Sequence, residues 1–266
     1  MKTRFLAVLT LSIALIFSTN SFSQANLNKI KKAGVIKIGM TGTQPPFSME
    51  SKEGELMGYE VDLAELLAES MNVELDIVQL PFAELIPALE SGKIDVIMSG
   101  MTMTMERNAK VAFVGPYVLS GKSVLTKMET LSKADEAEDF NMSDMKVTSL
   151  KGSTSESFVN LLLPDATSMP ADNYQDAVDM LFNDEATVLV ADFPIIMVTI
   201  LKNSTYNLFT IPEPLTMEPI GMAIAPGDPL MLNFMENYIN ALYMGGVLDE
   251  LEYYWFEDGS WIFDMK

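Results

Sequence analysis

Ile94-Asp95-Val96-Ile97-Met98-Ser99-Gly100-Met101-Thr102-Met103-Thr104-Met105-Glu106-Arg107 joins a strand-like run to a charged turn. Ile94–Met98 is short and apolar, as a buried strand should be, and Ser99-Gly100 stops it. Thr104 offers a side-chain oxygen to cap a helix beginning at Met105. Arg107 then falls in the first turn, where a cation opposes the helix dipole. Upstream, Phe82, Leu85, Ile86 and Leu89 repeat at helical spacing across Phe82–Glu90, and Gly92 follows as a stop signal. Val73–Leu80 alternates like a strand. Tyr59–Met71 carries Val61, Ala64, Leu67 and Met71 on one helical face, and Val35–Met40 reads as the first strand. Such alternation predicts a mostly parallel sheet covered by helices.

Downstream the pattern pauses at Pro116-Tyr117 and resumes at Ser123–Lys127. A polar, acidic stretch from Glu129 to Asp144 separates this from a second set. That set reads Met145–Leu150 (strand), Ser155–Leu163 and Gln175–Phe182 (helices), Thr187–Ala191 (strand) and Phe193–Leu201 (helix). Pro212, Pro214 and Pro219 precede a short strand at Met222–Ala225. Helices at Leu230–Met244 and Val247–Trp255 close the chain. Two α/β halves joined by short extended crossings, with a ligand in the cleft between them, fit this order.

Composition narrows the chemistry. Lys2 and Arg4 before the apolar run Phe5–Phe17, then small and polar residues to Ala25, read as a signal peptide. That run is shorter than the ~20 residues of a membrane-spanning helix. With no Cys and no His, disulfides, Cys nucleophiles, Ser-His-Asp triads and Cys/His zinc sites are excluded. Seventeen basic residues against 37 acidic ones, a formal charge of −20, repel nucleic acid and anionic membranes. Met98, Met101, Met103 and Met105 could suggest a soft-metal site. In a chain with 21 Met, their alternation reads instead as core packing, and no metal or cofactor is expected.

Beyond the signal peptide, Arg107 is the one arginine among fourteen lysines. Arg is hard to replace where a planar, permanently charged fork holds a carboxylate by two parallel hydrogen bonds. An acid of the chain, Asp62 or Asp95 among others, or a ligand could be its partner, and the ligand is the reading favoured here.

The order of motifs resembles the periplasmic solute-binding proteins of polar amino-acid ABC importers (bacterial extracellular solute-binding family 3). The resemblance rests on Gly39…Pro45-Pro46-Phe47, Gly58-Tyr59-Glu60-Val61-Asp62-Leu63, Leu89-Glu90-Ser91-Gly92-Lys93-Ile94-Asp95, the segment Gly100–Arg107, and Phe113-Val114-Gly115-Pro116-Tyr117. Lys151-Gly152-Ser153-Thr154, Val190-Ala191-Asp192 and Gly245-Gly246…Tyr254-Trp255-Phe256 complete it. It implies a type II two-lobed fold, each lobe a mostly parallel sheet flanked by helices, with a two-stranded hinge. Residues 26–116 and 221–266 would form lobe 1, 122–215 lobe 2, and 117–121 and 216–220 the hinge. Residues 1–25 would be the cleaved signal. The implied protein is a periplasmic monomer that closes on a small zwitterion and delivers it to a membrane permease.

The resemblance also implies site residues. Arg107 would clamp the ligand α-carboxylate, helped by Thr102 and the Gly100 loop. Gly152-Ser153-Thr154 would offer amides at a helix N-terminus, a natural anion site. Asp192 would receive the α-ammonium, although it also suits an N-cap before Phe193-Pro194. Phe82 would pack on the ligand side chain. Thr41 and Gln44 stand where members taking basic or polar amino acids often have an acid and an aromatic; losing the acid disfavours a cationic side chain, and Gln44 suits a polar, neutral one. Two rivals follow from the same fold: an enzyme resembling cyclohexadienyl dehydratase, which would need a cleft carboxylate or Lys151 as acid or base, and ordinary packing or capping at each position. Trp261 and Phe263 in the tail 257–266 are expected to pack back on lobe 1.

Overall fold

The computed structural model describes residues 25–127 and 140–266. The signal peptide and most of the acidic stretch that begins at Glu129 lie outside the described residues. Strands in chain order are β1 (Val35–Met40), β2 (Met49–Glu50), β3 (Leu56–Met57), β4 (Glu74–Gln79), β5 (Val96–Ile97) and β6 (Ala112–Ser120). They continue as β7 (Lys122–Thr126), β8 (Lys146–Leu150), β9 (Thr167–Ala171), β10 (Val188–Asp192), β11 (Phe209–Thr210) and β12 (Glu218–Ile224). One five-stranded sheet has the order β4-β1-β5-β12-β6, the other β11-β7-β10-β8-β9, and β2 and β3 form a small hairpin.

In the first sheet β4, β1 and β5 are parallel, while β12 runs antiparallel to both β5 and β6. In the second, β10, β8 and β9 are parallel and β7 and β11 antiparallel. Each sheet therefore has three adjacent parallel strands reaching one edge, as alternation predicts, and antiparallel pairings over the rest. Helix Tyr59–Met71 coincides with its sequence reading and buries Val61, Leu63, Ala64, Leu67, Ala68 and Met71. Phe82–Glu90 divides into a 3-10 turn, Phe82–Glu84, and a helix, Leu85–Glu90.

Between the sheets the structure departs from the sequence reading. The pause at Pro116-Tyr117 is the middle of a nine-residue strand, β6, and the short strand read at Met222–Ala225 is the end of the seven-residue β12. The two pair from Ala112↔Ile224 to Ser120↔Glu218, with an irregularity between Ile220 and Met222. Pro116 falls beside that irregularity, where its missing N–H removes no regular ladder bond. Gly121 follows β6 directly. A Cβ there would lie 2.0 Å from the Thr216 carbonyl oxygen, so only glycine permits the crossings to approach so closely.

β9 and helix Ala25–Ala33 had no sequence signal, and helix Val247–Glu252 passes into a wider turn, Tyr253–Asp258. The amides of Asn26 and Leu27 donate to Asp228, tying that first helix to the start of helix Pro229–Met244. The main core runs through Ile36, Ile38, Leu63, Leu67, Leu85, Ile97 and Trp261. A smaller cluster under the second sheet includes Phe140, Val147, Phe158, Val188 and Ile211. Met98 and Met101 are core residues as read; Met105 is 92% exposed, because the first turn of its helix faces solvent.

Candidate functional site

Arg107 is placed by its cap. The Thr104 hydroxyl accepts from the Arg107 amide at 3.2 Å and starts the single turn Met105–Asn108. The guanidinium turns back over the Phe82 ring, 5.4 Å from its centroid. Nη1 donates to the Thr102 carbonyl at 2.9 Å and Nη2 to the Gly152 carbonyl at 3.2 Å. Among the described residues no carboxylate lies within ion-pair distance of it; neither Asp62 nor Asp95 does. Asp62 instead accepts from Trp255 Nε1, and Asp95 from the Lys37 amide and Lys29. Burial lowers the Arg107 pKa from its ordinary value, while Glu218 and Asp192 act to keep it charged.

Facing Arg107, Ser153 is a structural cap. Its hydroxyl accepts from the amides of Ser155 and Glu156 and donates to the Leu150 carbonyl, fixing the start of helix Thr154–Leu162. Thr154 opens that helix, so its amide has no intrahelical acceptor. The Thr154 hydroxyl lies 3.1 Å from that of Thr102, and the pair brings the two halves of the fold together.

Both hydroxyls converge on a residue the sequence reading did not select. Glu218, at the start of β12, accepts from Thr102 at 2.8 Å and from Thr154 at 2.9 Å on one oxygen. Lys122 Nζ lies 3.0 Å from that same oxygen and 2.6 Å from Asp192 Oδ1. Lys122 is 1% exposed and Asp192 3%. Asp192 stands at the N-cap of helix Phe193–Lys202, yet its side chain caps nothing and faces Lys122. Burial raises the Asp192 pKa, and Lys122 pulls it down. Burial would also raise Glu218, but Lys122 and the two threonine hydroxyls outweigh it and hold Glu218 below its ordinary value. Buried Tyr174 completes the surroundings, with its pKa pushed well up by burial and by Asp192. Lys122 opens β7, whose five residues Lys-Ser-Val-Leu-Thr are all buried.

The remaining candidates lie in the first half. The Gly100 amide donates to Glu60 at 2.7 Å, so the loop is anchored from behind. Glu60 is fully buried, also accepts from the Tyr117 hydroxyl, and has one oxygen without a partner. Burial pushes its pKa up to about 7. Gln44 is buried, and its amide oxygen accepts from Thr41 at 2.9 Å and Ser99 at 2.7 Å. The Thr41-Gln44-Ser99 network thus satisfies the Gln44 amide oxygen from within the first half of the fold. Phe82 is buried beneath Arg107. Lys151 points away, into an exposed pair with Asp172. Beside the site, a cavity of about 370 Å³ opens between Pro45, Met49, Tyr174, Val178, Ile195 and Met265. Tyr174 borders both.

Two carbonyls and a face-on aromatic hold a guanidinium at a cleft between two α/β units, beside a buried Asp-Lys-Glu set. Comparison with known proteins agrees with that architecture. The family described as bacterial extracellular solute-binding proteins, family 3, matches residues 36–258. The chain is 27% identical over 260 residues to the L-cystine-binding protein TcyJ of Escherichia coli (strain K12), covering 94% of each. It is 23% identical over 250 residues to the cyclohexadienyl dehydratase of Pseudomonas aeruginosa, covering 92% of this chain and 91% of that one. A crystal structure of the ancestral amino acid-binding protein AncCDT-1, a precursor of cyclohexadienyl dehydratase, superposes with a TM-score of 0.81 at 34% identity, over 88% of this chain and all of that one. With its two lobes and paired crossing strands, the chain belongs to the bacterial extracellular solute-binding proteins, family 3.

Proposed function

We propose that this protein is the periplasmic solute-binding component of an ABC importer and that its lobes close on a small amino acid or similar zwitterion. The observation that carries this is Arg107. It is the one arginine beyond the N-terminal segment, it has no acid at ion-pair distance among the described residues, and it lies between Thr102 of one lobe and Gly152 of the other. The solute carboxylate takes the free N–H groups of Arg107 and the Thr154 amide, while the two threonine hydroxyls stay donated to Glu218. Its ammonium faces Asp192 and Glu218. The adjacent cavity receives the side chain.

The names of relatives support this class: TcyJ binds L-cystine, and others bind arginine or glutamine. In this reading residues 1–25 are an export signal and the mature protein works as a monomer with a membrane permease. The lobes are 26–116 with 221–266, and 122–215, hinged at 117–121 and 216–220. A thermal-shift screen of solute-stripped protein over amino acids, followed by calorimetry, tests the reading, since a true ligand raises Tm by mass action. Absence of any shift sinks it.

One observation favours a second reading, an enzyme on the same fold. The cleft holds a buried carboxylate, Asp192, with a raised pKa next to an ammonium, and one relative is a dehydratase. Turnover of prephenate or arogenate, followed by absorbance, decides between the two.

A further inference from the structure

The ammonium end of the site is already filled. Asp192, the acid facing a solute's ammonium, holds the Lys122 ammonium at 2.6 Å, and both side chains are almost fully buried. Where such an acid must wait for its solute, the empty cleft carries an uncompensated buried carboxylate, and a solute without an ammonium leaves that charge stranded. Here the counter-ion is built into the chain. Lys122 emerges from Gly121 at the hinge, and its backbone is fixed by bonds from its amide to Thr216 and from the Leu215 amide to its carbonyl.

The geometry points to Lys122 as the group that sets solute class: by neutralising Asp192 within the cleft, it lets the site accept α-hydroxy carboxylates alongside α-amino acids. This rests on the proposal that Arg107 holds the solute carboxylate. The proton count agrees. A lysine ammonium has three N–H donors; two point toward Asp192 and Glu218, and one is left for a solute atom. A hydroxyl on the α-carbon can accept that proton and donate its own to a carboxylate oxygen. An α-ammonium has donors only, and it places a second positive charge beside Lys122. Glu218 makes the ammonium tolerable; Lys122 makes it unnecessary.

The test uses solute-stripped full-length mature protein and calorimetry. The probes are the nineteen standard amino acids other than proline, and the 2-hydroxy acid with the same side chain for each. The expected result is that the two members of a pair bind within about tenfold of each other, because the acid keeps its counter-ion in both complexes. In Lys122→Met the ratio should widen to about 100-fold in favour of the amino acid, whose ammonium then becomes the sole partner of Asp192. An amino acid that binds wild type more than about 100-fold tighter than its hydroxy acid overturns the inference and leaves the binding function standing. An intermediate ratio that Lys122→Met does not widen also overturns it. If no amino acid and no hydroxy acid binds, both this inference and the proposed function fall. Should Lys122→Met not fold, the wild-type ratio alone decides, with any value beyond tenfold counting against it.

Discussion

Arg107 reaches across the cleft to donate from Nη2 to the carbonyl of Gly152, 3.2 Å away, while its Nη1 is held by the carbonyl of Thr102 on its own side. Among the described residues this cation meets neutral carbonyls and the Phe82 face, so it is oriented without being neutralised. This is the preorganisation a carboxylate clamp needs. Lysine keeps the charge but has neither the fork nor the flat face. Arg107→Lys should therefore weaken solute binding by about 2–4 kcal/mol, the scale for losing a buried, charge-assisted bidentate contact. The urea midpoint of the solute-free protein should barely move, because Arg107 is partly exposed and has no ion pair there. Near-wild-type affinity by calorimetry would dismiss the clamp.

Glu60 ties the Gly100 loop to the first crossing strand through Tyr117. Its pKa rises from an ordinary 4.5 to about 7, chiefly through burial. The folded protein thus holds this proton over a range where the unfolded chain has released it. Stability must then fall as pH rises from about 4.5 to about 7 and level off above. The most this one group can contribute is about 3 kcal/mol. Glu60→Gln keeps an acceptor for Tyr117 and Gly100 and abolishes the titration. Urea unfolding of both proteins at several pH values should show the gap between them changing across that window and constant above it. A pH-independent gap would show that Glu60 titrates normally.

Gly121 meets the second crossing where no side chain fits. An added Cβ would sit 2.0 Å from the Thr216 oxygen and 2.7 Å from Pro214 Cβ, and backbone cannot yield as a flexible side chain would. Gly121→Ala should cost about 1–3 kcal/mol, as overpacking does. It should also shift the relative positions of the lobes, since Lys122 and its amide bond to the Thr216 hydroxyl follow directly. Small-angle scattering of the solute-free variant checks the second point. An unchanged urea midpoint and scattering profile together would refute the close-approach argument.

Helix Tyr59–Met71 was legible to the residue because one apolar face repeats without interruption. The crossing strands were not. Gly115-Pro116 looks like a break, and only pairing with β12, far along the chain, makes β6 a continuous strand. Strand β9, Thr167–Ala171, lies at a sheet edge and contains Pro170, so it lacks both alternation and an uninterrupted run of donors. In the site, Arg107 could be found because it differs from the other cations. Lys122 and Glu218 could not: one is among fourteen lysines and the other among 37 acids. What distinguishes them is their pairing at a junction of β7, β10 and β12, a product of topology. Ser153 was read as part of a ligand-facing turn with helix capping as the alternative, and its hydroxyl caps the helix.

The C-terminal tail provides a contrast within three residues. Trp261 is 2% exposed, its indole N–H donates to the Trp255 carbonyl at 3.2 Å, and the two rings lie 5.2 Å apart. Trp255 in turn donates to Asp62 on helix Tyr59–Met71, so the tail is stapled to the first lobe through two indoles. Phe263, expected to pack alongside, is 79% exposed, because positions three apart share a face of the 3-10 turn Ser260–Asp264 and Phe263 falls with exposed Ser260. Trp261→Ala should cost about 3–5 kcal/mol, the range for deleting a buried aromatic. Phe263→Ala should stay within about 0.5 kcal/mol, as surface changes do. Urea midpoints of the two variants measure the difference directly, and equal losses would mean that the tail does not hold its register on Trp255.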